Sequence, residues 1–237
     1  MKANGARGWA VVCDFDGTAT TEDIGDQVAL RFAGRDWYEK AEDDYRAGAF
    51  PFSELLRRIF SPITASEPEI AAFAAARARF RPGFERFLAE CHGAGRPFVL
   101  CSAGLDVYIR PVLERLPAEL RGHVQLRANA AACSPRGMEV SFHGGGALDC
   151  GRCGFCKGHV VRELQAAGHR VAVLGDGSVD RCAAAAADRV FARRSLVRHC
   201  TEAGIPFTPF ETFDDVRREF PSAGPAGGGW TGASGGV

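Results

Sequence analysis

Two carboxylates separated by one residue close the first apolar run of the chain, Trp9-Ala-Val-Val-Cys-Asp14-Phe-Asp16-Gly-Thr18. On an extended strand, residues two apart point to the same side. Two carboxylates held that way repel each other unless a cation neutralises them. A hard dication such as magnesium would do so, because it takes oxygen ligands. Ser102 follows a second apolar run, Phe98-Val-Leu-Cys101, where a hydroxyl beside small residues can donate to a phosphoryl oxygen. Lys157 opens a helical run, and its ammonium can neutralise both a phosphate and a nucleophilic carboxylate as a point charge. Asp176 and Asp180 follow a third run, Val171-Ala-Val-Leu174, within Gly175-Asp-Gly-Ser-Val-Asp180. Asp176 is placed to complete a metal shell. Asp180, one helical turn on, is placed to anchor Lys157 or a metal-bound water. The flanking glycines favour close approach of a ligand.

Each residue also has a plainer reading. Acidic residues after a strand often cap a helix or form a turn, and serine is a common N-cap. A helix lysine is usually solvated, and Asp180 could simply face a helix dipole. The chain has only Lys2, Lys40 and Lys157 among its 29 basic residues, which sets Lys157 apart from routine surface charge. The four features also share one context, a polar group at the end of an apolar element. In an open α/β sheet those ends form the ligand edge.

The elements that position these groups are legible as alternating strands and helices. Strands are expected at 9–14, 97–101, 123–127, 170–174 and 189–192. Helices are expected at 84–92, 105–116 (with Pro111 as a kink), 157–167 and 179–187. That alternation implies a doubly wound, mostly parallel, Rossmann-like α/β sheet. Residues 128–134 and 138–142 are expected to pair as a hairpin. Helical patterns at 23–32, 36–47, 52–59 and 67–80 form an insert after the first strand. The expected organisation is a core of 1–21 and 81–220, a helical cap of 22–80, and a disordered Gly/Ala/Ser/Pro-rich tail of 221–237.

Composition narrows the partners. With 29 basic and 29 acidic residues the net charge is zero, which argues against nucleic acid. No apolar run reaches membrane-spanning length, and the first residues lack a secretory apolar stretch, so a cytoplasmic protein acting away from membranes is expected. Six of the nine cysteines are scattered and are read as reduced core residues. The other three form Cys150-x-x-Cys153-x-x-Cys156. Zinc could bind there with a fourth ligand from Cys133, His143 or His159. A disulfide or plain reduced thiols are the alternatives.

The order Asp-x-Asp, Ser, Lys, Asp-x-x-x-Asp resembles the motif series of the haloacid dehalogenase superfamily, over residues 9 to about 192. The resemblance implies a magnesium-dependent phosphatase acting on a small phosphorylated metabolite. Asp14 would be the nucleophile that forms an aspartyl-phosphate, and Asp16 the acid and then the base. Asp14 and Asp176 would hold magnesium through side chains and Asp16 through its backbone carbonyl. Ser102, Ala103 and Lys157 would bind the phosphoryl group, with Asp180 behind them.

The insert resembles the cap of the phosphoserine-phosphatase-like branch. Three departures count against phosphoserine itself. Asp23 stands where a Glu is expected, Ile59 where the cap Arg would lie, and Val179 where an Asn precedes the last acid. The Cys-Asp-Phe-Asp-Gly-Thr start, Arg58-Ile59-Phe60 and Gly154-Phe-Cys-Lys157 are closer to another branch. That branch holds the methionine-salvage phosphatase of 2-hydroxy-3-keto-5-methylthiopentenyl-1-phosphate, together with phosphoethanolamine/phosphocholine phosphatases. Asp23 is then either a substrate contact or a helix N-terminal charge. A mutase, a carbon–halogen hydrolase and a non-catalytic binding protein on the same fold are the remaining alternatives.

Overall fold

A computed structural model describes residues 7–145 and 147–220. The proposed tail, 221–237, lies outside the described residues. The first strand, β1 (Arg7–Cys13), runs into a tight turn over Phe15–Ala19. Four helices follow, α1 (Ile24–Phe32), α2 (Arg35–Arg46), α3 (Phe52–Phe60) and α4 (Glu67–Arg77). Then come α5 (Phe84–Gly93), β2 (Phe98–Leu105), α6 (Asp106–Leu113), α7 (Ala118–His123), β3 (Val124–Ser134) and β4 (Gly137–Ser141). The chain finishes with α8 (Lys157–Ala166), β5 (His169–Gly175), a 3-10 turn (Ser178–Asp180), α9 (Arg181–Ala186), β6 (Arg189–Ala192), α10 (Arg194–Glu202), β7 (Thr208–Pro209) and α11 (Phe213–Glu219).

The strands form one sheet in the order β4-β3-β2-β1-β5-β6-β7, parallel except for β4. The doubly wound, mostly parallel sheet expected from the alternation is therefore present. Alternation along β1 explains its central place. Trp9, Val11 and Cys13 enter one hydrophobic cluster, and Ala10 and Val12 enter another. A strand buried on both faces reads as a continuous apolar run, and each fully buried Val or Leu contributes about 1.5–3 kcal/mol. β2 and β5 flank it in register, Cys13 lying opposite Leu100 and Leu174. The strand ends carrying Asp14, Ser102 and Asp176 are thereby brought to one edge.

Several expected boundaries are corrected. The strand at 123–127 and the first arm of the hairpin are one continuous strand, β3. It pairs with β2 as far as Asn129 and with β4 from Ala130 onward. A change of partner leaves no mark on the sequence period. The helix at 105–116 ends at Leu113, and the run at 67–80 ends at Arg77. The last expected helix, 179–187, splits into the 3-10 turn and α9. α10, β7 and α11 were not anticipated.

The inserted helices leave and rejoin the sheet at neighbouring points. Thr20 bridges Phe80, and the Thr21 amide donates to the Arg79 carbonyl at 3.0 Å. Arg81, buried just after the return, donates to the carbonyls of Gly17 (2.8 Å), Thr18 (2.8 Å) and Thr20 (2.9 Å). α3 is also tied to the loop before α8 and to β4. Its Ser53 amide donates to the Arg152 carbonyl at 3.1 Å, and the Met138 amide donates to the Ser61 carbonyl at 3.2 Å. Among the described residues, no helix is long and apolar enough to cross a membrane.

Candidate active site

Lys157 is 1% exposed, a position almost never taken by an unpaired lysine. Its Nζ donates to Asp14 Oδ1 at 2.5 Å and to Asp180 Oδ1 at 2.7 Å. Burial acts to lower its pKa, but the two carboxylates raise it well above the ordinary lysine value, so it stays an ammonium. The residue opens α8, whose Val160, Val161 and Leu164 pack beneath the sheet with Val171 and Val173. Those contacts aim the first turn at the strand ends.

Asp180 is fully engaged. Its second oxygen accepts the Asp176 and Gly177 amides, both at 3.0 Å. Of the two roles foreseen for it, anchoring Lys157 is the one its hydrogen bonds show. Of the flanking glycines, Gly177 lines the cleft, but Gly175 needs a different reading from the one expected. A side chain at Gly175 would run into the Asp180 carboxylate at 2.5 Å, so this glycine makes room for a protein group and not for a ligand.

Carboxylate oxygens of Asp14, Asp176 and Asp180 all lie within 4.8 Å of one another, and all three residues are buried. Burial pushes Asp14 well above its ordinary value. Lys157 opposes that rise, and Asp180 and Asp176 add to it. Asp176 is likewise raised by burial and by Asp180, with half-exposed Arg194 opposing from 3.3 Å.

Asp16 departs from the expectation drawn from strand alternation. The backbone leaves the strand in the turn, where Gly17 has φ 70°. The Asp16 carboxylate stands apart from the three-carboxylate cluster and is held by α1. One oxygen accepts the Ile24 amide at 2.8 Å and the Gly25 amide at 3.4 Å, and the other accepts the Tyr108 hydroxyl at 2.9 Å. Burial raises its pKa to about 6 against those hydrogen bonds. A Cβ on Gly104 would fall 1.8 Å from the Tyr108 oxygen and 2.9 Å from Asp16 Oδ2, so the contact requires glycine there.

Ser102 is buried within β2, where the register with β3 shifts between Cys101 and Leu105, and its Oγ accepts the Gly104 amide at 2.9 Å. The Ala103 carbonyl accepts from Asn129 Nδ2 at 2.7 Å, which braces this irregular stretch. Asp23 caps α1 by accepting the Asp26 amide at 2.8 Å, so the plainer reading of that residue holds. It also lines the cleft.

The cleft in front of these groups has a volume of about 470 Å³. Asp14, Asp16, Ser102, Ala103 and Asp176 form its floor. α3 roofs it with Phe52, Leu55, Leu56, Ile59 and Phe60. Asp26, Glu42, Tyr38 and Tyr45 form an acidic and aromatic side. Ile59 thus faces the cleft. Arg57 packs over the Phe142 ring and Arg58 pairs with Glu54 at 2.9 Å.

The cysteine run gathers a partner other than those foreseen. Sulfur atoms of Cys150, Cys156 and Cys182 lie within 4.8 Å of one another. Cys182 takes the place expected for Cys133, His143 or His159, because α9 packs directly on α8. The His143 ring meets Phe155 edge-on instead. Tyr108, Asn129, Arg81 and Arg194 were also missed.

Fold and edge cluster together define an α/β enzyme of the doubly wound class. The chain belongs to the haloacid dehalogenase-like hydrolase family, whose model matches residues 11–185. It is 33% identical over 206 residues to the 2-hydroxy-3-keto-5-methylthiopentenyl-1-phosphate phosphatase of Geobacillus kaustophilus, covering 86% of this chain and 91% of that one. It is 32% identical over 210 residues to the bifunctional enzyme MtnB/MtnX of Bacillus licheniformis, covering 88% of this chain. The match spans only 48% of that relative's length. A substrate-bound phosphoserine phosphatase superposes with a TM-score of 0.69 at 15% identity, over 92% of this chain and all of that one.

Proposed function

We propose that this phosphoric monoester hydrolase works through a phosphorylated Asp14 and needs magnesium. The observation that carries the reading is the buried Lys157 ammonium shared between Asp180 and Asp14, of which Asp14 lies on the floor of the cleft. The residues fit a hard dication. Both Asp180 oxygens are occupied by protein donors, while Asp14 and Asp176 keep carboxylate oxygens free, in a cluster with more acid than base. Asp14 and Asp176 side chains, with the Asp16 carbonyl, would hold the ion. When bound it neutralises the carboxylates and the oxygens of the phosphoryl group.

In the proposed reaction Asp14 attacks phosphorus while the ester P–O bond breaks. Asp16 gives its proton to the departing alkoxide. Asp16 then takes a proton from a water that attacks the phosphorus on Asp14, which releases phosphate and restores the Asp14 carboxylate and the Asp16 acid. Ser102 and the Ala103 backbone, which line the cleft with Asp14, would receive phosphoryl oxygens. A carboxyl with a pKa of about 6 suits a group that must both give and take a proton near neutrality.

The hydroxyl of Tyr108 holds Asp16 in its ionised form, so Tyr108→Phe raises the Asp16 pKa. The alkaline limb of kcat/KM, where the acid form is lost, then moves to higher pH by about half to one unit. A pH–rate profile reads this directly. An unmoved limb removes Asp16 as the general acid.

The substrate we favour resembles 2-hydroxy-3-keto-5-methylthiopentenyl-1-phosphate. The apolar roof of Leu55, Leu56, Ile59 and Phe60 suits a methylthio-alkyl tail. Asp23, Asp26 and Glu42, whose carboxyl pKa values burial raises, offer hydrogen-bonding groups to the hydroxyl of such a substrate. The same acidic and aromatic side favours a second reading, a cationic head such as that of phosphoethanolamine or phosphocholine. Phosphate release from a panel of small esters, with magnesium and with EDTA, separates the two. Undiminished turnover in EDTA overturns the mechanism. Asp23→Asn keeps an N-cap acceptor while removing the charge, and should change relative kcat/KM across the panel by about tenfold. An unchanged ranking excludes Asp23 from specificity.

A further inference from the structure

The four thiols around the start of α8 lie outside the cleft chemistry. Sulfurs of Cys150, Cys156 and Cys182 are mutually within 4.8 Å. Cys153 is buried in the same loop and lines one small cleft together with Cys182. All nine cysteines are free. Tetrahedral zinc with Zn–S bonds near 2.3 Å sets its sulfurs about 3.8 Å apart. Three sulfurs that approach one another together are what one central ion needs. A disulfide needs only two.

The turn that carries these cysteines is fixed by its own contacts. Gly154, which follows the second cysteine, has φ 72°, and a Cβ there would strike the Phe142 ring at 2.3 Å. The Asp149 carboxylate accepts the Gly151 amide at 3.0 Å and the Gly154 amide at 2.9 Å, which fixes the turn. Arg152 and Arg181 line the small cleft beside Cys153 and Cys182, giving local positive charge opposite a dianionic ZnS4 centre.

We propose that Cys150, Cys153, Cys156 and Cys182 bind one structural zinc ion that clamps α8 to α9. Cys156 immediately precedes Lys157, and Cys182 lies two residues after Asp180. The ion therefore pins both backbones that carry the 2.7 Å Lys157–Asp180 pair. A side chain at Gly158 would meet the Cys182 carbonyl at 2.9 Å, which shows how closely the two helices already approach. Zinc acts on the architecture and takes no part in the reaction. Binding displaces the thiol protons, and its free energy is added to folding.

The test uses the full chain purified under reducing conditions with excess magnesium, which keeps the carboxylate site from contributing. Elemental analysis should find about one zinc per chain. Cobalt exchanged for zinc should give sulfur-to-metal charge-transfer absorption and the strong visible bands of a tetrahedral site. Chemical thiol blocking should release the zinc as four cysteines react. Cys182→Ser should weaken zinc binding by at least about tenfold, while Cys133→Ser retains it. The proposal is overturned by a zinc-supplemented, reduced chain without bound metal, or by cobalt without charge-transfer bands. Two disulfides in place of four thiols, or full zinc affinity in Cys182→Ser, would overturn it as well. Should that variant fail to fold, the cobalt spectrum of the unmutated chain decides. None of these readouts depends on turnover, so their failure is separable from failure of the phosphatase mechanism.

Discussion

Asp14→Asn produces a folded protein whose turnover is lower by at least about 10^4-fold. The amide keeps the shape of the side chain and an oxygen that can accept from Lys157. What it lacks is the anionic oxygen that must bond to phosphorus. The expected sign on stability is the reverse of the sign on activity. Burial, Asp180 and Asp176 all press the Asp14 carboxyl towards its neutral form. Removing its charge therefore relieves repulsion, and the variant should melt no lower than the parent in the absence of divalent cation. Such a trade is expected where a site holds like charges together for chemistry. Phosphate release and thermal melting, measured on the same preparation, read both signs. Residual activity within about 100-fold of the parent would exclude Asp14 as the nucleophile.

Lys157→Met should damage both properties. The methionine fills much of the stem volume but leaves Asp14 and Asp180 buried without their cation. Breaking a buried ion pair by removing one partner costs about 3–5 kcal/mol. Turnover should fall by about 10^3-fold, the scale of losing a charge-stabilising donor. The loss of stability also carries a pH signature. Without the ammonium, the folded-state pKa of Asp14 lies further above its unfolded value. Protonation then favours the folded variant, and its deficit shrinks as pH falls towards about 5. Urea unfolding at pH 7.5 and pH 5 tests this. A deficit below about 1 kcal/mol at pH 7.5 would mean that the pair contributes little. Lys157→Arg is no rescue, because a planar fork cannot sit between two oxygens placed for a single nitrogen.

The site was legible where chemistry and local structure coincide. Asp14, Ser102 and Asp176 each follow a short apolar run, and Lys157 opens a helix, so nearest-neighbour patterns were enough to bring them to one edge. Asp16 was misread because strand alternation stops one residue too early. The chain turns at Gly17, and the carboxylate swings to the start of α1. Tyr108 reaches Asp16 across 92 residues, and Arg81 reaches the turn across more than 60. Neither contact leaves a local pattern. Cys182 was invisible for the same reason, since only the packing of α9 on α8 brings it to the cysteine loop. β7 has two residues, too few to show any period, and β3 changes partners without changing its composition.

The Thr20–Phe80 bridge has a consequence for how such a protein can diverge. The two ends of the excursion sit side by side, so its length can change without moving them, while the α1 amides on Asp16 and the α3 ties to Arg152 and Met138 couple its content to the core. Closing a longer or shorter excursion there costs little, because the entropy of closure grows only slowly with length. Arg81 holds the base of the excursion from the sheet side, using only backbone carbonyls of its neighbours, so it tolerates any sequence above it. A grafted excursion that keeps the α1 amides on Asp16 should therefore fold on this base and bring new selectivity to the same reaction centre.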